Sequence, residues 1–311
     1  MEYLSVVQYA EKYSVSERTI RNYCATGKLD GAFLTGKTWN IPADAPLPKR
    51  TKRKCSPLLS RLIEEKDVKM KGGIYHRTQI DLTYNSNHIE GSRLTKEQTR
   101  YIFETNTLGI TTGDTRIDDI METVNHFRCI DYIIDHATEK ITEAHIKHLH
   151  GLLKTNTSDS QKQWFAVGDY KRLDNVVGEM ETCPVAEVHR AMAELLAWWK
   201  DAPKTFENLL DLHVRFERIH PFQDGNGRVG RLILLKECLK HGHTPFVIAE
   251  NLRQFYYLGL SDWRRGNRLR LLDTCRTGQD VFILGLRQFG HLKLAEKAER
   301  DSHAVSAEGA G

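Results

Sequence analysis

Residues 220–231 read HPFQDGNGRVGR: a histidine, an acid, an asparagine, three glycines and two arginines within twelve positions, flanked on both sides by apolar segments. Little in this run could fill a core, so its composition calls for a chemical reading. Gly225 and Gly227 permit positive φ, which lets successive backbone N–H groups turn toward one anion. Asn226 tolerates the same geometry and can donate from its amide. The apolar run RVGRLILLKECL follows directly, and the N-terminus of a helix there would add free N–H groups and a partial positive charge. Arg228 and Arg231 are three apart, so both can face one side, and two guanidinium groups over a glycine nest suit a polyphosphate. Asp224 is placed to hold Mg²⁺ against phosphate oxygens. His220 has an ordinary pKa near neutrality and is the natural general base. Phe222 reads as an apolar anchor for the loop, and Gln223 as solvent-facing. A Walker A loop needs GK[ST] after the glycines and a zincin needs HExxH; neither occurs.

The elements that must position this loop are helical. Apolar residues recur at i, i+3 and i+4 over 76–91, 95–105, 115–136, 142–155, 186–200, 204–218, 228–241, 251–265 and 268–290. Leu209, Leu212, Phe216 and Ile219 form one stripe, and RLILLKECL is apolar nearly all round, so its helix is expected at the centre. Residues 296–311 lack large apolar side chains and read as a disordered tail.

The first 54 residues differ. They hold ten Lys/Arg against five Asp/Glu, whereas the rest holds 35 against 36, within a chain of 311 residues and net charge +4. SVVQYAEKY and ERTIRNYC read as two short helices capped by Ser5 and Ser16, and AFLTGKTWNIP as a hairpin turning at Thr35-Gly36-Lys37. Three prolines and a Lys/Arg run over 49–54 mark a linker within 43–57. The expected domains are 1–45, a basic linker 46–57, the helical body 58–295 and the tail 296–311. A hydrophobic fraction of 40% with 28% charged residues describes a soluble globular protein. No run approaches a membrane span, the N-terminus has no apolar signal region, and six cysteines lack CxxC spacing. A cytoplasmic compartment without membrane contact is expected.

Ala10, Tyr13, Val15, Ser16, Thr19, Ile20, Arg21, Gly27, Lys28, Leu29, Trp39, Ile41 and Pro42 resemble the pattern of excisionase/MerR-like winged helix-turn-helix modules. That resemblance implies binding of duplex DNA through residues 1–54, with Arg18, Thr19, Arg21 and Asn22 at the contact face, beside Glu17.

HPFQDGNGRVGR resembles the Fic family signature HxFx(D/E)GNGRxxR at every fixed position. The resemblance runs over roughly 58–290 and implies an all-α Fic-type helical domain with a small β-hairpin flap, behind the winged helix-turn-helix. Family members mostly transfer AMP from ATP to a hydroxyl side chain of a target protein. The resemblance gives His220 the role of base toward the acceptor hydroxyl, and Asp224 that of Mg²⁺ ligand. Gly225, Asn226 and Gly227 become the anion nest, Arg228 and Arg231 the grip on the β/γ end, and Phe222, Tyr256 and Tyr257 members of the nucleotide site. The two tyrosines read equally well as adenine-pocket lining or as core. A Doc-like phosphate-transferring branch departs from GNGR, which this sequence keeps. TYNSNHIEGS (83–92) resembles the family's inhibitory motif (S/T)xxxE(G/N), met by Ser86, Glu90 and Gly91 on a helix near 76–91. It implies that Glu90 pairs with Arg231 and obstructs the γ-phosphate. DNVVGEMETCP (174–184) is the expected flap, holding a target segment by β-augmentation. The implied partners are a Ser, Thr or Tyr hydroxyl of a target, the chain itself by self-modification, and a homo-oligomer acting on Glu90. The rival readings are a transcriptional regulator whose body senses nucleotide, an AMP-removing enzyme, and a phosphotransferase.

Overall fold

The structure is a computed structural model and describes residues 2–48, 55–109, 114–177, 180–288 and 290–307. The chain forms two compact units, 1–54 and 55–311. The Lys/Arg run at 49–54 lies outside the described residues.

In the first unit, β1 (Tyr3–Leu4) is followed by α1 (Val6–Lys12), α2 (Glu17–Ala25), β2 (Phe33–Thr35) and β3 (Thr38–Pro42). Ser5 and Gln8 cap α1 reciprocally, and Ser16 accepts from the Thr19 N–H to start α2. The hairpin pairs Thr35 with Thr38, and β1 adds antiparallel to the other edge of β3, a strand the sequence reading did not expect. Tyr9, Ile20 and Ile41, all fully buried, tie the helices to the sheet. Leu47 packs against this core too, so the compact unit reaches past the expected boundary at 45.

The second unit is helical. It comprises α3 (Pro57–Asp67), α4 (Ile74–Ile89), α5 (Lys96–Thr105), α6 (Ile117–His136), α7 (Glu143–Lys154), α8 (Val185–Asp201), α9 (Phe206–Ile219), α10 (Asn226–His241), α11 (Arg253–Arg264), α12 (Leu269–Gln288) and α13 (Leu292–Ala307). Two short strands, β4 (Val176–Val177) and β5 (Met180–Glu181), pair antiparallel between α7 and α8. The helix α10 is buried from Leu232 to Leu239 and packs against α4, α6, α7 and α9. Leucine, isoleucine and cysteine on nearly every side of this stretch are the reason, because only an enclosed helix can satisfy such a surface, and Lys236 and Glu237 pair within it at 3.0 Å.

The C-terminal stretch departs from expectation. Residues 292–307 form a helix where a disordered tail from 296 was expected, and Ala295 and Ala298 pack into the core. Alanine supplies both the helix propensity and a small side chain that lets α13 approach α12 closely. Residues 308–311 lie outside the described residues. Among the described residues no helix is long and apolar enough to cross a membrane.

Candidate active site

The loop between α9 and α10 begins where α9 ends on His220, whose backbone is left-handed at φ 51. Phe222 is fully buried and stacks flat on the His150 ring, with centroids 4.0 Å apart. Asn226 clasps the loop. Its Oδ1 accepts from the Phe222 N–H and its Nδ2 donates to the Phe222 carbonyl, both at 2.8 Å. Both ends of the amide therefore hold the loop's own backbone, a structural use that the sequence reading did not expect. Gly225 has φ +81 and no side chain with which to cap α10. The first bond of the helix runs from Val229 N–H to the Gly225 carbonyl, so the N–H groups of 226–228 have no helical partner. Gly227 is helical; its use is space, because a Cβ there would collide with the Glu90 carboxylate.

Glu90 comes from the end of α4, where Gly91 at φ +94 turns the chain away. Its Oε1 accepts from Arg231 Nη2 at 2.7 Å. Ser86, one turn earlier, accepts from Arg231 Nε at 3.0 Å through its hydroxyl and from Nη2 at 2.9 Å through its carbonyl. Burial works against charge on Arg231, yet Glu90 holds the guanidinium more firmly protonated than usual. Tyr256 is buried beneath this group with its hydroxyl 2.5 Å from His213 Nε2. With 1% of its surface exposed Tyr256 sits in the core, the second of the two readings the sequence left open for it. Tyr257 remains exposed beside the end of α4, its hydroxyl 3.4 Å from the Ile89 carbonyl.

The two arginines diverge. Arg228 turns the other way, to Glu122 on α6 and to Asp224 Oδ2 at 3.2 Å, and is buried. It braces Asp224, where the spacing suggested a second arm beside Arg231. Lys154, at the end of α7, completes the group: its Nζ lies 2.6 Å from Glu122, 2.8 Å from Asp159 and 2.6 Å from Asp224. Burial alone would raise the Asp224 pKa, but Arg228 and Lys154 hold it well below the usual carboxylate range. The carboxylate stays half exposed, and both cations contact one of its oxygens, Oδ2. An ionised oxygen donor beside an anion cradle fits Mg²⁺ as a single protein ligand.

His220 sits on the opposite side of Phe222 along the loop. Burial, with the nearby Lys171 charge, pushes its pKa down to about 4. Lys171 Nζ donates to Asn175 and Thr182, and its backbone N–H donates to the Pro221 carbonyl at 2.8 Å. Asn175 Nδ2 donates to the Phe222 carbonyl, and the Leu173 N–H to Gln223 Oε1 at 3.3 Å. The segment leading into β4 is thus strapped to the loop, and Gln223 is half-buried in the strap where solvent exposure was expected. Glu122, Lys154 and Lys171 are the site residues that motif reading missed. The signal for Lys154 was a lysine in register with the apolar face of His150 and Leu153; nothing local distinguished Glu122.

In the first unit Arg18, Arg21 and Asn22 are exposed on one face of α2, and Arg21 pairs with Glu17 at 2.9 Å. Thr19 is half-buried and its hydroxyl meets Ser16 Oγ, so it serves the helix start.

A mostly helical body with a side-chain-free helix start, a neutral histidine and an ionised half-exposed aspartate defines a helical domain built around a polar, glycine-rich loop. Residues 140–238 match the model of the Fic/DOC family. The protein adenylyltransferase Fic of Drosophila grimshawi is 26% identical over 182 residues, a match covering 56% of this chain and 36% of that protein. The Drosophila melanogaster protein of the same name is 27% identical over 182 residues, covering 56% and 35%. The match thus spans about a third of these relatives. A Fic domain containing signaling protein from Bacteroides thetaiotaomicron superposes with a TM-score of 0.58 at 23% identity, covering 77% of this chain and 97% of that one. Fic-1 from C. elegans gives 0.56 at 19% identity, covering 74% and 69%. The helical body has the Fic-domain fold.

Proposed function

We propose that the body transfers AMP from ATP to a hydroxyl side chain of a target protein, the chain itself included, and that Glu90 blocks this reaction in the resting state. The reading rests on one observation above others: the Glu90 carboxylate lies over Gly227, at the head of α10, held by Arg231 at 2.7 Å. An anion already occupies the place built for one.

In this reading His220, neutral at physiological pH, takes the proton of the acceptor hydroxyl as its oxygen attacks the α-phosphorus and pyrophosphate leaves. The free N–H groups of 226–228 and, once released from Glu90, Arg231 stabilise phosphate charge. Asp224 would hold Mg²⁺, which when bound neutralises charge on the triphosphate. Lys154 and Arg228 fix Asp224, and the strap from Lys171 and Asn175 positions the loop beside the hairpin where a target segment would pair. Incubation of wild type and Glu90→Gly with α- and γ-labelled ATP tests the reading. Incorporation of α-label, stronger in Glu90→Gly and lost in His220→Ala, is expected; incorporation of γ-label alone would replace it with phosphate transfer.

The first unit we infer to be a winged helix-turn-helix that binds duplex DNA. The exposed Arg18, Arg21 and Asn22 on α2 and the unit's excess of basic residues support this.

A further inference from the structure

The helices α6 and α7 form an antiparallel hairpin. Asn125 Nδ2 donates to the Leu153 and Thr155 carbonyls, and Cys129 lies against the Leu149 carbonyl, so the two helices run past one another in opposite senses. Its open end delivers Glu122 and Lys154 to Asp224. Its closed end, about 20 Å away along α6 at 1.5 Å per residue, carries a second cluster of titratable groups. His136 ends α6, Glu139 lies in the turn, and His145 is in the first turn of α7.

The three side chains bring one possible ligand atom each to a common place. His136 Nδ1 and His145 Nε2 each lie 3.3 Å from Glu139 Oε2. Donors at about 2.0–2.2 Å from a tetrahedral ion are separated by roughly 3.3–3.5 Å. One donor atom from each of the three residues lies within 4.8 Å of the others. His136 Nδ1 is shielded from solvent and faces the Glu139 carboxylate at 3.3 Å. His145 Nδ1 meets Thr142 Oγ1 at 3.0 Å, the outer contact that orients a ligating imidazole and leaves Nε2 for the ion. Tyr132 packs on the His136 ring at 4.3 Å between centroids and restricts its rotation.

The surrounding charges allow a cation. Lys236 of α10 faces the turn, but its Nζ donates to the Glu139 carbonyl at 2.6 Å and is neutralised by Glu237 at 3.0 Å.

We propose that His136, Glu139 and His145 bind one divalent transition-metal ion of the zinc class, which staples the end of α6 to the start of α7. Two imidazoles and a carboxylate select such an ion over Mg²⁺ or Ca²⁺, which prefer all-oxygen sites. The staple fixes the hairpin whose other end supports Asp224, and the fourth position is left to water.

The test uses full-length, tag-free, chelator-treated protein. Equilibrium dialysis against Zn²⁺, and the visible spectrum of added Co²⁺, should show one ion per chain and a rise in melting temperature. His145→Gln and Glu139→Gln should each weaken binding at least about tenfold and remove the rise. Their melting in chelator, close to wild type, shows that they fold. His136→Asn provides a third variant should either fold poorly. Failure of wild type to take up one equivalent, or retention of the ion by the variants, would overturn the site; cysteine-bound zinc would appear as such retention.

Discussion

Arg231 reaches across 141 positions of chain to Glu90, and the 2.7 Å bond between them joins the central helix to the end of α4. Both partners are largely shielded, with side-chain exposures of 10% and 29%. A hydrogen bond to a charged group contributes about 1.5–3 kcal/mol, or roughly 10–150-fold in an equilibrium. Glu90→Gly should therefore raise Mg·ATP affinity and label transfer by about tenfold or more, with Glu90→Gln between it and wild type. Titration calorimetry with Mg·ATP reads the first and α-labelled ATP the second. Equal affinity in the variant and wild type would mean that the carboxylate does not compete with phosphate.

The base assigned to His220 works deprotonated. Its activity is full above the folded pKa and falls as pH drops through it. Burial and Lys171 lower that pKa to about 4. The acid limb of kcat/KM in the Glu90→Gly background is expected well below the ordinary histidine value of about 6.5. Replacing Lys171 with Ala should move the limb upward. A limb at or above 6.5 would show that another group limits the rate, and His220→Ala should cost roughly 10²–10⁴-fold.

Lys154 is one buried ammonium shared by Glu122, Asp159 and Asp224. Removing it leaves three carboxylates facing each other, with Arg228 on Glu122 and Asp224 and Lys162 on Asp159 as the remaining counter-charges. Lys154→Met should destabilise the body by about 3–5 kcal/mol, the usual cost of breaking a buried charge group. Denaturant unfolding followed by helix content measures this. A loss below about 1 kcal/mol would show that water replaces the ammonium without penalty.

DNA binding by the first unit should be salt-sensitive. If Arg18 and Arg21 each neutralise a phosphate, the Arg18→Ala, Arg21→Ala double variant lowers the slope of log affinity against log salt by about 1.8. The full chain titrated with a labelled duplex at several ionic strengths gives the slope. Binding unaffected by salt, or an unchanged slope, would remove α2 from the interface.

Most of the helical body is legible in the sequence because helix periodicity is a local property. The stretches expected at 142–155 and 228–241 appear as α7 and α10 with ends within two residues. The expected start of α9 at 204 moved to Phe206, where Thr205 accepts from the Asn208 N–H and so caps the helix. The C-terminal stretch was misread because small alanines carry little hydrophobic signal, although they suit close helix contact. Strand β1 was missed because two residues have no periodicity to read.

The twelve residues of the loop point to an anion site by type and spacing, and the proposed function rests on that reading, since bare backbone, a helix start and a histidine are chemical facts of the chain. Which partner each side chain takes is not. Asn226 spends its amide on the loop, Arg228 turns to Glu122 and Arg231 to Ser86 and Glu90 because distant helices bring those groups within reach. Likewise His136, Glu139 and His145 look unremarkable in sequence and converge only when α6 folds back on α7. Local spacing determines helix faces and backbone freedom; contact between groups far apart in the chain depends on how helices pack, and packing is a property of the whole body.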